Sequence, residues 1–356
     1  MNTRAVRTSR WLLAGALLAA TAACGSSSDK AASTTAAPTT TAATPASSAD
    51  TSAPTTAATG GGAEGAAITL AVNPWTGSAV NANVAKVVLE SKLNTKVTLL
   101  DIDENATWQG LDTDDIDAVL EVWPSGHAAD MKTYIDEKKS VVNIGLLGPD
   151  AKIGWYIPTF MLKDHPELAT WEGFKDKKNA ELFKTAESGD LGQFLMGDPS
   201  YVSYDEQIIK NLDLPLKFVV AGSETALITA IQQAETDQTP LLMQFWQPHW
   251  LQSQVDLTEV KLPDVTPECT ASAAAGDGKY ACDYPVDHLF KAASSKLETK
   301  NPAAFAFLSK MQLTTDQQNE IAALIDGQGD NGMKAADAAK KWVDENPDVV
   351  NGWLAG

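Results

Sequence analysis

The chain has 356 residues, with 46 acidic side chains against 27 basic ones and a formal net charge of −19. That balance, with no basic stripe, excludes a nucleic-acid partner, and the length leaves room for two lobes with sizeable cores. The only arginines are Arg4, Arg7 and Arg10, so the rest of the chain has no guanidinium fork to clamp a carboxylate or phosphate.

Those three arginines form a basic start, followed by an apolar run from Trp11 to Ala23 that is too short to span a bilayer. Thr21-Ala22-Ala23-Cys24 resembles the bacterial lipoprotein signal, which is cleaved before an acylated cysteine. Residues 1–23 are therefore expected to be a signal peptide and Cys24 the lipidation site. Residues 24–66 are Ser, Thr, Ala, Pro and Gly with almost no large apolar side chain. Such a segment buries too little surface to offset its ordering entropy and reads as a tether. The expected location is the outer face of the cytoplasmic membrane. Cys269 and Cys282 remain as an even pair in an exported chain, which predicts one disulfide. No Cys or His partners stand at metal-ligand spacing, so neither metal nor cofactor is expected.

From Ile68 onward strand and helix alternate. Ile68–Val72 reads as a buried strand and 73–77 as a loop. Ala79–Leu93 has apolar residues at helical spacing. Lys96–Ile102 and Ala118–Trp123 are further strands, the second broken by Pro124-Ser125-Gly126, with a helix from His127 to Asp136. A strand is expected at Ile153–Met161, short helices over 171–183, and a turn at Gly197-Asp198-Pro199-Ser200-Tyr201. Ser203 is placed to cap a helix over 204–212. Lys217–Val220, Ser223–Ala234 and Leu241–Trp246 continue as strand, helix and strand, the last stopped by Pro248. The stretch from Cys269 to Cys282 reads as a Gly/Ala/Asp-rich loop. Three helices follow, one starting at Asn301-Pro302, one with capping-box spacing from Thr315 to Gln318, and one over 332–343. The fold class is α/β, with two lobes each built on a mostly parallel sheet flanked by helices. Residues 67–150 plus 250–356 are assigned to lobe I and 151–249 to lobe II.

Trp75, Trp123, Tyr201 and Trp246 each lie within two residues of a proline that breaks the regular pattern. In open α/β sheets, ligands sit outside the carboxyl ends of strands. Electron-rich rings converging there suit a quaternary ammonium. Such a group donates no N–H hydrogen bond and is held by cation–π attraction, worth about 2 kcal/mol or more when desolvated. Trp108, Trp171, Trp342 and Trp353 read as packing residues. Trp155 faces either cleft or core.

Four segments carry a resemblance: Val119-Leu-Glu-Val-Trp-Pro-Ser-Gly-His127, Gly197-Asp-Pro-Ser-Tyr201, Phe245-Trp-Gln-Pro-His-Trp250, and 301–313. From Ile68 to Gly356 the chain resembles the substrate-binding proteins of ABC importers for glycine betaine, choline and related compatible solutes. The resemblance implies a periplasmic-binding-protein-like fold (type II) and a monomeric receptor. That receptor would close on a quaternary ammonium ligand and present it to a membrane permease driven by a cytoplasmic ATPase. It further implies an aromatic cage of Trp123, Trp246 and Tyr201 (or Tyr204), with Trp75 as an added wall. His127 and the backbone N–H groups of Val202 and Ser203 would meet a ligand carboxylate or hydroxyl, using a helix start as an anion seat. His249 and Trp250 would support the site from behind. An enzyme, for example a secreted hydrolase, is the competing reading, but the chain has no Gly-x-Ser-x-Gly elbow, zinc helix or phosphate loop. A receptor for another cationic solute is the third.

Overall fold

The apolar run at Ile68–Val72 and the runs that follow it do form a sheet, and its strand order explains how one chain makes two lobes. The computed structural model describes residues 65–327 and 331–355. The leader, Cys24 and nearly all of the 24–66 tether lie outside those residues. Nine strands are present among the described residues: β1 (Gly65–Val72), β2 (Thr95–Asp101), β3 (Ala118–Val122), β4 (Val141–Pro158), β5 (Gly192–Met196), β6 (Leu216–Val220), β7 (Met243–Gln247), β8 (Leu257–Val260) and β9 (Asp287–Ser294).

The first lobe has the order β2-β1-β3-β9-β4 and the second β6-β5-β7-β4-β8. The two orders are the same pattern used twice. In each lobe four of five strands run one way, and the fourth in the order, β9 or β4, runs against them. β4 belongs to both lobes: Val141–Ala151 pairs with β9, and Lys152–Pro158 pairs with β7 and β8. At 18 residues it is far longer than a typical strand, which makes it a continuous rail between the lobes.

Helices cover both faces. The helix Thr76–Lys92 buries Val80, Val84, Val88 and Leu89 against the first sheet and packs on Ala335–Glu345 near the C-terminus. Asn301 caps Pro302–Lys310 through Ala304 N–H. Ser223 caps Glu224–Asp237 through Ala226 N–H. Trp155, Phe174 and Phe194 centre the core of the second lobe, and Trp342 and Trp353 stack in the first. Among the described residues no helix is long and apolar enough to cross a membrane.

Several boundaries differ from those expected. The return to the first lobe does not come at residue 250. Pro248–Val255 touches the first lobe, where Trp250 and Leu251 join its core, but Leu257–Val260 then adds to the second sheet. Cys269, Tyr280, Cys282 and Tyr284 stay in the second core, and the chain leaves only at β9. Neither β8 nor β9 is among the strands read from the sequence. Cys269 and Cys282 form a disulfide, yet the stretch between them is no simple loop, since Pro267–Ala275 is a helix capped by Thr266. The capping box is Thr314 with Gln317, one residue earlier than the spacing suggested. A helix at Glu104–Thr113, unanticipated in the acidic stretch, completes the first lobe.

Candidate functional site

The carboxyl ends of the parallel strands in both lobes face one another, and four aromatic side chains meet there. β1 delivers Trp75, which is the residue immediately before the helix Thr76–Lys92. β3 ends at Val122 and hands over Trp123. The turn after β5 supplies Tyr201, and β7 carries Trp246 just ahead of Pro248. All four line a cleft whose empty space, open solvent included, is about 440 Å³, together with Glu104, Gly126, Ile153, Val202 and Gln244. Tyr201 stands edge-on to both neighbours: its ring centroid is 5.9 Å from Trp75 at 76° and 5.7 Å from Trp246 at 89°. Rings at right angles make the corners of a box. The three tryptophans are each 7–8 % exposed, so their faces are largely withdrawn from water, where cation–π attraction is strongest.

Two indoles are fixed from behind by one carboxylate. Glu121, on β3, accepts the N–H of Trp75 at 2.7 Å and of Trp123 at 3.1 Å on Oε1, and amide N–H groups of Asn81 at 2.6 Å and Gln318 at 3.2 Å on Oε2. Burial lifts its pKa to about 7 against the opposing pull of the indole donors, and the Glu224 charge adds to the rise. Gly77 makes room for it, because a Cβ there would stand 2.8 Å from Glu121 Oε2. Sequence reasoning missed Glu121. The available signal was an acid inside the otherwise apolar run Ala118–Val122, two residues before a tryptophan.

His127 lies behind the wall. Its Nε2 is 2.8 Å from Glu104 Oε1 and its Nδ1 2.9 Å from Asp130. Burial opposes its charge, but the bonds to Asp130 and Glu104 outweigh that and raise its pKa to about 9. Trp108 Nε1 also stands 3.0 Å from Nδ1. With Nδ1 protonated toward Asp130 that indole contact is one of packing. Val202 does line the cavity, and its N–H donates to Glu104 Oε2 at 2.8 Å. Ser203 does not line it; its hydroxyl is bonded to Asp205 at 2.6 Å. Tyr204 is outside the box, stacked on Tyr280 at 4.2 Å. Trp155 belongs to the core, fully buried against Phe194 and donating to Asp205. His249 packs on Phe245 and Trp246 from behind.

The lobes are latched beside the box. Glu224, at the start of its helix in the second lobe, accepts the backbone N–H and the hydroxyl of Thr76 at 2.7 Å each, and faces His249 Nε2 at 3.2 Å. Thr76 opens the long first-lobe helix, where an anion is favoured by unpaired N–H groups and the helix dipole. Among the described residues, no group of three or more His, Cys, Asp or Glu is arranged to hold a metal ion.

Residues 66–345 match the family described as the substrate-binding domain of ABC-type glycine betaine transport systems. The trimethylamine N-oxide-binding protein of Pelagibacter ubique is 28 % identical over 291 residues, covering 79 % of this chain and 88 % of that protein. Two solved structures share the fold. Lactococcal OpuAC complexed with glycine betaine aligns with a TM-score of 0.62 at 19 % identity, over 81 % of this chain and 98 % of that one. An ABC-transporter choline-binding protein in complex with choline aligns with a TM-score of 0.64 at 18 % identity, over 82 % and 92 %.

Proposed function

The chain belongs to the family of substrate-binding domains of ABC-type glycine betaine transport systems, and on that footing we propose that Trp75, Trp123, Tyr201 and Trp246 form the cage for a quaternary ammonium ligand. Members of the family are extracytoplasmic receptors that work with an ABC permease, and they bind rather than transform their substrate. The observation that carries the cage reading is the box itself. Four rings line one cavity, and the N–H edges of Trp75 and Trp123 are turned away toward Glu121. That leaves π-faces for a group that has no hydrogen-bond donors on nitrogen.

In this reading the ligand binds between the lobes and favours the shut state, with the Glu224–Thr76 contact as part of closure. The receptor is a monomer, catalyses no turnover, and is held at the outer face of the membrane by a lipid on Cys24 and the 24–66 tether. Labelling with a fatty-acid analogue, lost in Cys24→Ala, tests the anchor. Titration of tryptophan fluorescence with glycine betaine, choline, carnitine and trimethylamine N-oxide tests the cage. A saturable change with at least one of them is expected, and silence in both fluorescence and melting temperature for all four would overturn it.

A further inference from the structure

Within the quaternary ammonium reading just given, the polar end of the box points to which ligand it selects. The resemblance assigned His127 and the Val202 and Ser203 N–H groups to a ligand carboxylate or hydroxyl. Of these, His127 and the Val202 N–H already serve a carboxylate of the chain itself: Glu104 takes His127 Nε2 on Oε1 and the Val202 N–H on Oε2, each at 2.8 Å. Glu104 lines the cavity and is the first residue of its helix, which favours an acid there. Four further donors around the wall are also engaged. The Tyr201 hydroxyl donates to Pro74 O at 3.1 Å, Gly126 N–H to Trp123 O, and the Trp75 and Trp123 indoles to Glu121.

Acceptors, by contrast, are in surplus. A carboxylate offers about four lone-pair sites, and Glu104 uses two of them in the bonds above. Gln244 lines the same cavity, is 2 % exposed, and its Oε1 has no partner among the described residues. A buried acceptor without a partner is costly unless a ligand supplies a donor.

We propose that Glu104 is the specificity-determining residue. It fills the anion seat with its own carboxylate, so the site takes a trimethylammonium cation bearing a hydrogen-bond donor, an amino alcohol of the choline type, and rejects ligands ending in a carboxylate. A betaine brings an anion against Glu104, whereas a hydroxyl finds acceptors in Glu104 and Gln244.

The test is calorimetric titration of the full-length protein and of Glu104→Gln with choline, glycine betaine and trimethylamine N-oxide. In the unaltered protein choline should bind at least tenfold tighter than either of the others. In Glu104→Gln choline should weaken at least fivefold while betaine holds or tightens. Betaine or the N-oxide matching or exceeding choline in the unaltered protein would overturn the inference and leave the cage reading intact. Parallel loss of all ligands in the variant would overturn it too, reducing Glu104 to a wall residue. Binding of none of the three to the unaltered protein would sink the cage reading and this inference together.

Discussion

Glu121→Gln separates the geometry of the box from its charge. In the folded protein the Glu121 carboxyl keeps its proton up to about pH 7, against an ordinary 4.5. An unfolded chain therefore loses this proton first, and stability falls as pH rises from about 4.5 to 7. Above that the buried charge costs about 3 kcal/mol at 1.36 kcal/mol per pH unit. Glutamine removes the cost without breaking the site. Its Oε1 still accepts both indole N–H groups, and its NH2 turns toward Asn81 and Gln318. Those two amides rotate in response, because Asn81 Oδ1 and Gln318 Oε1 are both buried without a partner. Two orphaned acceptors thus receive the two new donors. Melting temperature at pH 8 should rise by roughly 6 °C, taking about 2 °C per kcal/mol for a chain of this size. Its decline between pH 5 and 8 should flatten. Glu121→Ala should do the opposite, since four buried donors lose their acceptor at about 1–3 kcal/mol each. Affinity for a trimethylammonium ligand should drop about tenfold in Glu121→Gln at pH 8, where a charge behind two rings is lost, and match the unaltered protein at pH 5. A lower melting temperature than the unaltered protein at pH 8 would refute the amide-rotation reasoning. Equal affinities at both pH values would refute the electrostatic part.

Three further outcomes are expected. Trp246→Ala should weaken ligand binding by about tenfold or more through loss of one desolvated cation–π wall, while Trp342→Ala, which removes a core ring, should lower melting temperature and leave affinity near its original value; isothermal titration with differential scanning calorimetry checks both. Glu224→Ala removes the acceptor for two Thr76 donors and the partner of His249, so it should open the lobes, with a larger radius of gyration by small-angle scattering and affinity reduced about tenfold; an unchanged radius of gyration would show that the latch does not govern closure. Replacing Cys269 and Cys282 by serine should cost about 3 kcal/mol for a loop of this length, seen as a lower urea midpoint, with ligand affinity unaffected because the bridge sits in the core of the second lobe.

Much was legible in the sequence by itself. Strand runs such as Ile68–Val72 and Lys217–Val220, the helix starts at Ser223 and Asn301, and the aromatics beside prolines depend on local chemistry, and local chemistry is written in order along the chain. Trp75, Trp123, Tyr201 and Trp246 share one cavity for that reason: each follows or ends a parallel strand, and such ends lie on one side of a sheet. Tertiary structure alone decided the rest. Tyr201 rather than Tyr204 enters the box because Tyr204 is taken up by Tyr280 and Tyr284, residues some eighty positions away. Trp155 goes to the core because Asp205 is there to accept its N–H. The lobe boundary near 285 rests on β8 pairing with β4, a contact across about a hundred residues. The roles of Glu104 and Glu121 were invisible for the same reason. An acid in a strand or at a helix start is named by its sequence neighbours, but what it holds is set largely by distant partners that only the fold brings within hydrogen-bond reach.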